Sequence, residues 1–288
     1  MVTVQTKKND LTGSVTAISA DKMVKGAVTS ATDMLVGKAA GVSVITDGGA
    51  PGAGATIRVR GGSSMSASNN PLIVIDGVPV DDGGINGMSN PLATVHPNDI
   101  ETFTILKDAS AAIYGMNAAN GVIIVTTKKG VAEKTRVSYS ALFGMKNATG
   151  MEETVDAYTY RMLANERARN DQAAPEYTDD ILELYRTGAK GYTDNNWIDM
   201  FMNKLAFQQS HTVSVRGGTD KVKYYVSFGY NGDNGLLKSG IQYYHRYNLR
   251  SNLTAELTKG LKLNVNLSGR WDETPKAERG FYVDFLRL

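Results

Sequence analysis

The chain contains no cysteine, only two tryptophans and only three histidines. The first absence excludes disulfide staples, thiolate metal sites and cysteine nucleophiles, and says nothing about the redox compartment. No stretch reaches the roughly 18 consecutive apolar residues that a membrane-crossing helix requires, so a membrane role would have to use strands or surface attachment. Charge of one sign is also scarce. The formal net charge is +2, and no Lys/Arg block exceeds the pairs Lys7-Lys8 and Lys128-Lys129, so the basic footprint of a nucleic-acid binder is missing. Met1 to Gly13 is polar and has no apolar core, which excludes a signal peptide there. An exported chain would need such a segment upstream.

What is present is ordinary folded protein in bulk, with 42% hydrophobic and 21% charged residues. Its grammar changes partway along. Residues 11–130 mix short helical and strand patterns. Ser30 to Gly41 reads as a capped helix carrying Met34 and Leu35 and stopped by Gly41. Val42 to Thr46 reads as a strand, and Gly48 to Gly54 as a glycine-rich turn. Ile57 and Val59 alternate with Arg58 and Arg60, as in a half-buried strand. Leu72 to Ile75 is a continuous apolar run closed by Asp76-Gly77, as expected of a central strand and its turn. Thr102 to Leu106, a helix near Asp108 to Tyr114, and Val122 to Thr126 complete a compact α+β domain.

From about residue 131 the pattern becomes two-residue alternation in segments of roughly ten residues, the length with which a tilted strand crosses a bilayer. Leu261, Leu263, Val265 and Leu267 alternate with Lys262, Asn264, Asn266 and Ser268. Tyr224, Val226, Phe228 and Tyr230 do the same, as do Val137, Tyr139, Ala141 and Phe143. Thr212 to Arg216 and Tyr247 to Asn252 bring the count to about five strands. Gly217 to Asp220 and Thr258 to Gly260 are tight links, whereas the stretch near 145–206 is long, with helices near Val155 to Arg169 and Asp179 to Thr187. Short turns at one end and long loops at the other are the asymmetry of transmembrane barrels. Soluble sandwiches and barrels alternate too, so alternation alone does not separate the two.

Six ordered motifs separate them. They are Leu35-Val36-Gly37-Lys38-Ala39-Ala40-Gly41-Val42; Gly48-Gly49-Ala50-Pro51-Gly52 leading to Ile57-Arg58-Val59-Arg60-Gly61; Asn70-Pro71-Leu72-Ile73-Val74-Ile75-Asp76-Gly77-Val78-Pro79; Pro97-Asn98-Asp99-Ile100-Glu101; Leu106-Lys107-Asp108-Ala109-Ser110-Ala111-Ala112-Ile113-Tyr114-Gly115; and Ala119-Asn120-Gly121 running to Lys128. Together they resemble the plug domain of TonB-dependent outer-membrane transporters of the SusC/RagA family. Asn195-Asn196-Trp197, Ser214 to Gly218 and Tyr224 to Tyr230 resemble that family's opening barrel strands. The implied fold is an α+β plug over residues 11–130, followed over 131–288 by antiparallel transmembrane β-barrel strands of an incomplete barrel, with a long helical extracellular loop near 145–206. The resemblance implies a plugged barrel of about 22 strands, so about seventeen further strands are expected downstream.

The resemblance also implies TonB-dependent import of nutrients, oligosaccharides first and peptides second, in the outer membrane of a Gram-negative bacterium. Its partners would be TonB with the ExbB/ExbD complex, a SusD-like surface lipoprotein, and outer-membrane lipid. Siderophore or cofactor uptake on the same fold, or a soluble plug-like binding module, are the alternatives. Residues 1–10 are the place for a TonB box, with Val2, Thr3 and Val4 suited to strand addition. Loops facing outward supply candidate substrate contacts: Ser63, Ser64, Ser66, Asn69 and Asn70 in one, Asp81, Asp82, Asn86 and Asn90 in the other. Arg58 and Arg60 are candidates for pairing with carboxylates on the barrel wall, because an unpaired buried charge is costly.

Catalysis finds little support. Gly49 to Thr56 imitates a phosphate loop in its glycines, but Ala55 stands where lysine is required and a strand follows. His96, His211 and His245 are isolated and read as surface or lumen histidines. Ser110 sits in no nucleophile elbow and reads as a helix cap. Asp76-Gly77 and Lys107-Asp108 read as turn and cap chemistry. Asp81 and Asp82 lack the spacing of a calcium loop. No metal, cofactor or enzymatic activity is expected.

Overall fold

A computed structural model describes residues 15–23, 30–46, 48–52, 54–59, 61, 69–80, 91–150 and 153–275. The chain divides into two compact units, one comprising 1–145, 207–235 and 242–288 and the other 146–206 and 236–241.

The first unit opens with seven short strands: β1 (Val15–Ser19), β2 (Val42–Thr46), β3 (Ala55–Val59), β4 (Leu72–Ile75), β5 (Val78–Val80), β6 (Ile100–Leu106) and β7 (Val122–Thr127). β2 and β3 form a hairpin, and the others form a sheet in the order β1-β6-β7-β4-β5. β4 and β7 pair in parallel, and their uninterrupted β-branched runs fit strands covered on both faces. Residues of β7 alternate accordingly. Ile123 and Val125 pack with Phe103, Ile105, Ile73, Leu35 and Leu92, while Val122 packs with Val74, Leu106, Ala111 and Ala118 on the other side. Asp76 and Gly77 form the two-residue link between β4 and β5, and both take the left-handed conformation, at φ +49 and +87. That is the turn for which Asp-Gly is suited, because its twist matches the flanking strands. β5 contains Pro79 and is an edge, where the missing N–H costs no ladder bond.

Two helical expectations change here. Residues 30–41 contain only a 3₁₀ turn at Asp33–Leu35, because Gly37 and Gly41 both adopt left-handed φ and interrupt any continuous helix. Ala31, Leu35 and Ala39 are still buried, so the apolar spacing serves the core without regular helix. Asp108–Tyr114 is likewise 3₁₀. Ser110 does not cap it; its hydroxyl instead donates to the Lys107 carbonyl at 2.7 Å.

The same unit continues with β8 (Arg136–Lys146), β9 (Ala206–Gly218), β10 (Val222–Asn234), β11 (Tyr243–Thr258) and β12 (Leu261–Glu273), an antiparallel sheet in the order β12-β11-β10-β9-β8. These are the five expected strands, lengthened. The tight links carry Gly218 and Gly260 at positive φ. Register aligns Val215, Val226, Ser251 and Leu267 in one outward row and His211, Tyr230, Tyr247 and Trp271 in another.

In the second unit, α1 (Ala157–Asn170) is capped by Asp156, whose carboxylate accepts from the Thr159 amide at 2.8 Å. α2 (Asp179–Thr187) ends on left-handed Gly188. The Arg161 guanidinium lies 3.6 Å above the Tyr185 ring centre, and Asn165 bonds both backbone groups of Tyr177. α3 (Trp197–Phe201), capped by Asn196, is a further element that periodicity alone does not reveal in so short a segment.

Candidate functional site

The inward face of β10 and β11 is polar and covered. Tyr225, Ser227, Asn231 and Asp233 of β10 and Tyr244, Arg246, Asn248, Arg250 and Asn252 of β11 are all buried. What covers them is one end of the seven-stranded domain, and the seam between the two is the most chemically organised region of the chain.

Arg250 stands at its centre. Its guanidinium reaches Asp76 at 3.4 Å and Asp99 at 3.8 Å, and all three side chains are buried to within a few per cent. Asp76 is placed by the Asp-Gly turn, and its two carboxylate oxygens accept from the Thr127 amide at 2.9 Å and the Thr127 hydroxyl at 2.6 Å. Asp99 ends the 3₁₀ turn Pro97–Asp99 that leads into β6, and it accepts from the Tyr225 hydroxyl at 2.8 Å. Two negative charges against one positive are thereby supplemented by hydroxyl and amide donors. Arg250 Nη1 donates to Asp76 at 3.4 Å, whereas Nε has no hydrogen-bond partner among the described residues, so the contact with Asp99 is Coulombic. Removing one member of such a buried set typically costs about 3–5 kcal/mol, because the charge left behind stays out of water.

Neutral bonds extend the seam to either side. Asn252 donates at 2.8 Å to both the Thr127 hydroxyl and the Lys128 carbonyl, and Asn98 donates to the Thr212 hydroxyl at 2.9 Å. Glycines permit close approach: a Cβ at Gly229 would lie 2.5 Å from the His96 ring, and one at Gly130 would lie 2.2 Å from the Tyr224 backbone nitrogen. Farther along β11, the Tyr244 hydroxyl accepts from Arg246 at 2.7 Å and donates to Asp272 at 3.1 Å. The glycine-rich turn meets it there. Gly52, at φ +70, is so close that a Cβ would lie 2.6 Å from the Tyr244 ring. Burial holds the Asp33 carboxyl above its ordinary range, an effect opposed by a backbone hydrogen bond and by Arg246.

Against these contacts the sequence candidates fall into three groups. Arg58 is exposed on β3, opposite Ser43. Asn69 and Asn70 lie just before β4, the first half-buried and the second exposed. Val2, Thr3, Val4, Arg60, Ser63, Ser64, Ser66, Asp81, Asp82, Asn86 and Asn90 lie outside the described residues. In the seam described, the carboxylates lie on the inner domain and the arginine on the wall; Arg58 is not among its contacts. Asp76 does turn chemistry and ion pairing at once. Asp99, Arg250, Tyr225 and Asn252 were legible only as a pattern: inward arginine on an alternating strand needs a buried carboxylate opposite. Among the described residues no cluster of three or more His, Asp or Glu could hold a metal ion.

Comparison with known proteins fits this geometry. Residues 7–122 match the TonB-dependent Receptor Plug Domain family. The chain is 44% identical over 265 residues to the TonB-dependent receptor SusC of Bacteroides thetaiotaomicron, covering 91% of this chain and 25% of SusC. It is 37% identical to the TonB-dependent receptor P26 of Formosa agariphila, covering 90% of this chain and 25% of that protein. The RagAB peptide importer in its closed-closed state superposes with a TM-score of 0.74 at 28% identity, over 91% of this chain and 31% of that one. The chain thus spans about a quarter of the length of the curated relatives it matches. With a plug seated on the polar face of antiparallel wall strands, and with these relatives, the chain belongs to the outer-membrane TonB-dependent receptors of the SusC/RagA type.

Proposed function

We propose that the protein containing this chain imports oligosaccharides across the outer membrane, with the plug as the gate and TonB, driven by ExbB/ExbD, as the source of force. A SusD-like surface lipoprotein is its partner. The observation that carries the gate is the buried set of Asp76, Asp99 and Arg250, which ties plug to wall. Such a set is stable without force and is lost when the plug shifts by a few ångströms, since a Coulombic contact between buried groups weakens steeply once water enters. For the cargo, the support is the composition of the loops. The plug loops 63–70 and 81–90, rich in Ser, Asn, Asp and Gly, suit hydroxyl-bearing ligands.

The test is uptake of labelled oligosaccharides and labelled peptides by cells with and without the full-length receptor, before and after a protonophore. Receptor-dependent, protonophore-sensitive glycan uptake is expected. Uptake of peptides alone would replace the cargo assignment and keep the gate; uptake indifferent to the protonophore would remove TonB from the reading.

A further inference from the structure

His96 has no partner in the sequence pattern, yet it is buried to 2% exposure in the middle of the seam. Its ring occupies the notch left by Gly229. Its Nδ1 accepts from the Asn98 amide at 3.1 Å and so caps the 3₁₀ turn Pro97–Asp99. That turn is what aims Asn98 at Thr212 and Asp99 at Tyr225 and Arg250. An imidazole that accepts at Nδ1 is neutral, with its proton on Nε2. Protonation would turn Nδ1 into a donor facing another donor, the Asn98 N–H.

We propose that His96 is a positioning residue of the plug–wall clamp: its neutral imidazole holds the Pro97–Asp99 turn in the shape that presents Asp99 to the wall, and protonation releases it. The groups around it come from every neighbouring element. Asp99 on its own turn and the Asn231 side chain of β10 favour the charged ring, while Arg246 on β11 and Lys128 after β7 oppose it. Burial is the largest influence and holds the ring below its ordinary value of 6.5. The unfolded or released turn therefore takes up a proton before the seated one does. The contribution of His96 is complete above about pH 6.5 and is lost as pH falls from there through the seated value, by up to about tenfold in the opening equilibrium per pH unit. This inference concerns the seam alone and holds whatever the cargo is.

The experiment is hydrogen exchange of peptides spanning residues 97–106 in the purified full-length receptor, from pH 8 to 5, corrected for intrinsic exchange. Wild type is expected to lose protection by about tenfold below pH 6.5. His96→Asn keeps an acceptor at the cap and cannot titrate, so it is expected to stay protected and flat with pH. His96→Phe keeps the ring without the acceptor and is expected to exchange fast throughout. A flat wild-type profile would overturn the proposal. So would an acid response in His96→Asn equal to wild type, which would assign the effect to a carboxylate such as Asp99. Should His96→Phe fail to fold, the comparison of wild type with His96→Asn decides alone.

Discussion

The two faces of the wall strands differ in the opposite sense from those of a soluble protein. Outward, Phe228 of β10 is 49% and Leu249 of β11 55% exposed; inward, Tyr225 of β10 is 2% and Arg250 of β11 4% exposed. Alternation places both on neighbouring strands, so the difference comes from what each face meets. The outward side chains match lipid and need no partners. The inward ones meet a folded domain and must find hydrogen bonds or opposite charge there, because burial without a partner is costly. A soluble barrel would put its apolar face inside, and the plug would then have nothing polar to hold.

The comparison is broken most directly at Arg250. Arg250→Ala leaves Asp76 and Asp99 buried without their shared cation and is expected to weaken the seam by about 3–5 kcal/mol. The full-length receptor in a planar bilayer should begin to conduct at lower urea, as the plug lets go. Adding Asp76→Asn and Asp99→Asn to that background should return part of the loss; a triple variant as weak as the single one would show that the carboxylates do not respond to Arg250. On the other face, Leu267→Arg lies in the middle apolar row, and a charge facing lipid near midplane costs about 2–4 kcal/mol. Ser268→Arg, one residue on but facing away from lipid, should cost less in the urea midpoint of barrel unfolding. Equal losses would deny the assignment of faces. Gly229→Ala adds a methyl 2.5 Å from the His96 ring and should cost about 1–3 kcal/mol by overpacking, seen again as a lower urea threshold for conductance.

How much of this the sequence carries depends on range. The wall strands were readable because period-two alternation is local, and each of the five expected segments sits inside an observed strand. β4 and β7 were readable because a run such as Val122–Thr127 has no polar face to lose. The stretch 30–41 misled because Ala31, Leu35 and Ala39 have helical spacing, whereas the two glycines set the backbone. β1 is five residues long and owes its pairing to β6, far along the chain, while β5 is only three residues long and holds a proline, too short for alternation to show. The seam was the least legible part. Asp76 and Arg250 are 174 residues apart, and nothing at either position announces the other; only the nesting of one domain inside a wall brings them together. Arg58 was a candidate because its alternation with Ile57 and Val59 is visible locally, and it is exposed on β3.

The smallest effects offer the cleanest test of the two faces, because one chemical change can be made on both. Tyr225 and Tyr230 lie on β10 and point opposite ways. Outward, the Tyr230 hydroxyl bonds His245 Nδ1 at 2.9 Å, and the ring stacks between His211 and His245 with centroids 6.1 Å and 5.9 Å away. Tyr230→Phe keeps the stacking, and His245 can turn to interfacial water, so a loss of about 0.5–1 kcal/mol is expected. Inward, Tyr225→Phe takes the same oxygen from Asp99, which is buried and whose remaining side-chain partner among the described residues is the Arg250 guanidinium at 3.8 Å. That leaves a buried charged acceptor short of a donor, at about 1–3 kcal/mol. Urea midpoints for the two variants should therefore separate, with Tyr225→Phe the lower and its loss diminished when Asp99→Asn is added, while Tyr230→Phe is indifferent to Asp99→Asn. If the two variants fell equally, the inward polar contacts would be behaving like solvated ones, and the seam would hold the plug by shape rather than by charge.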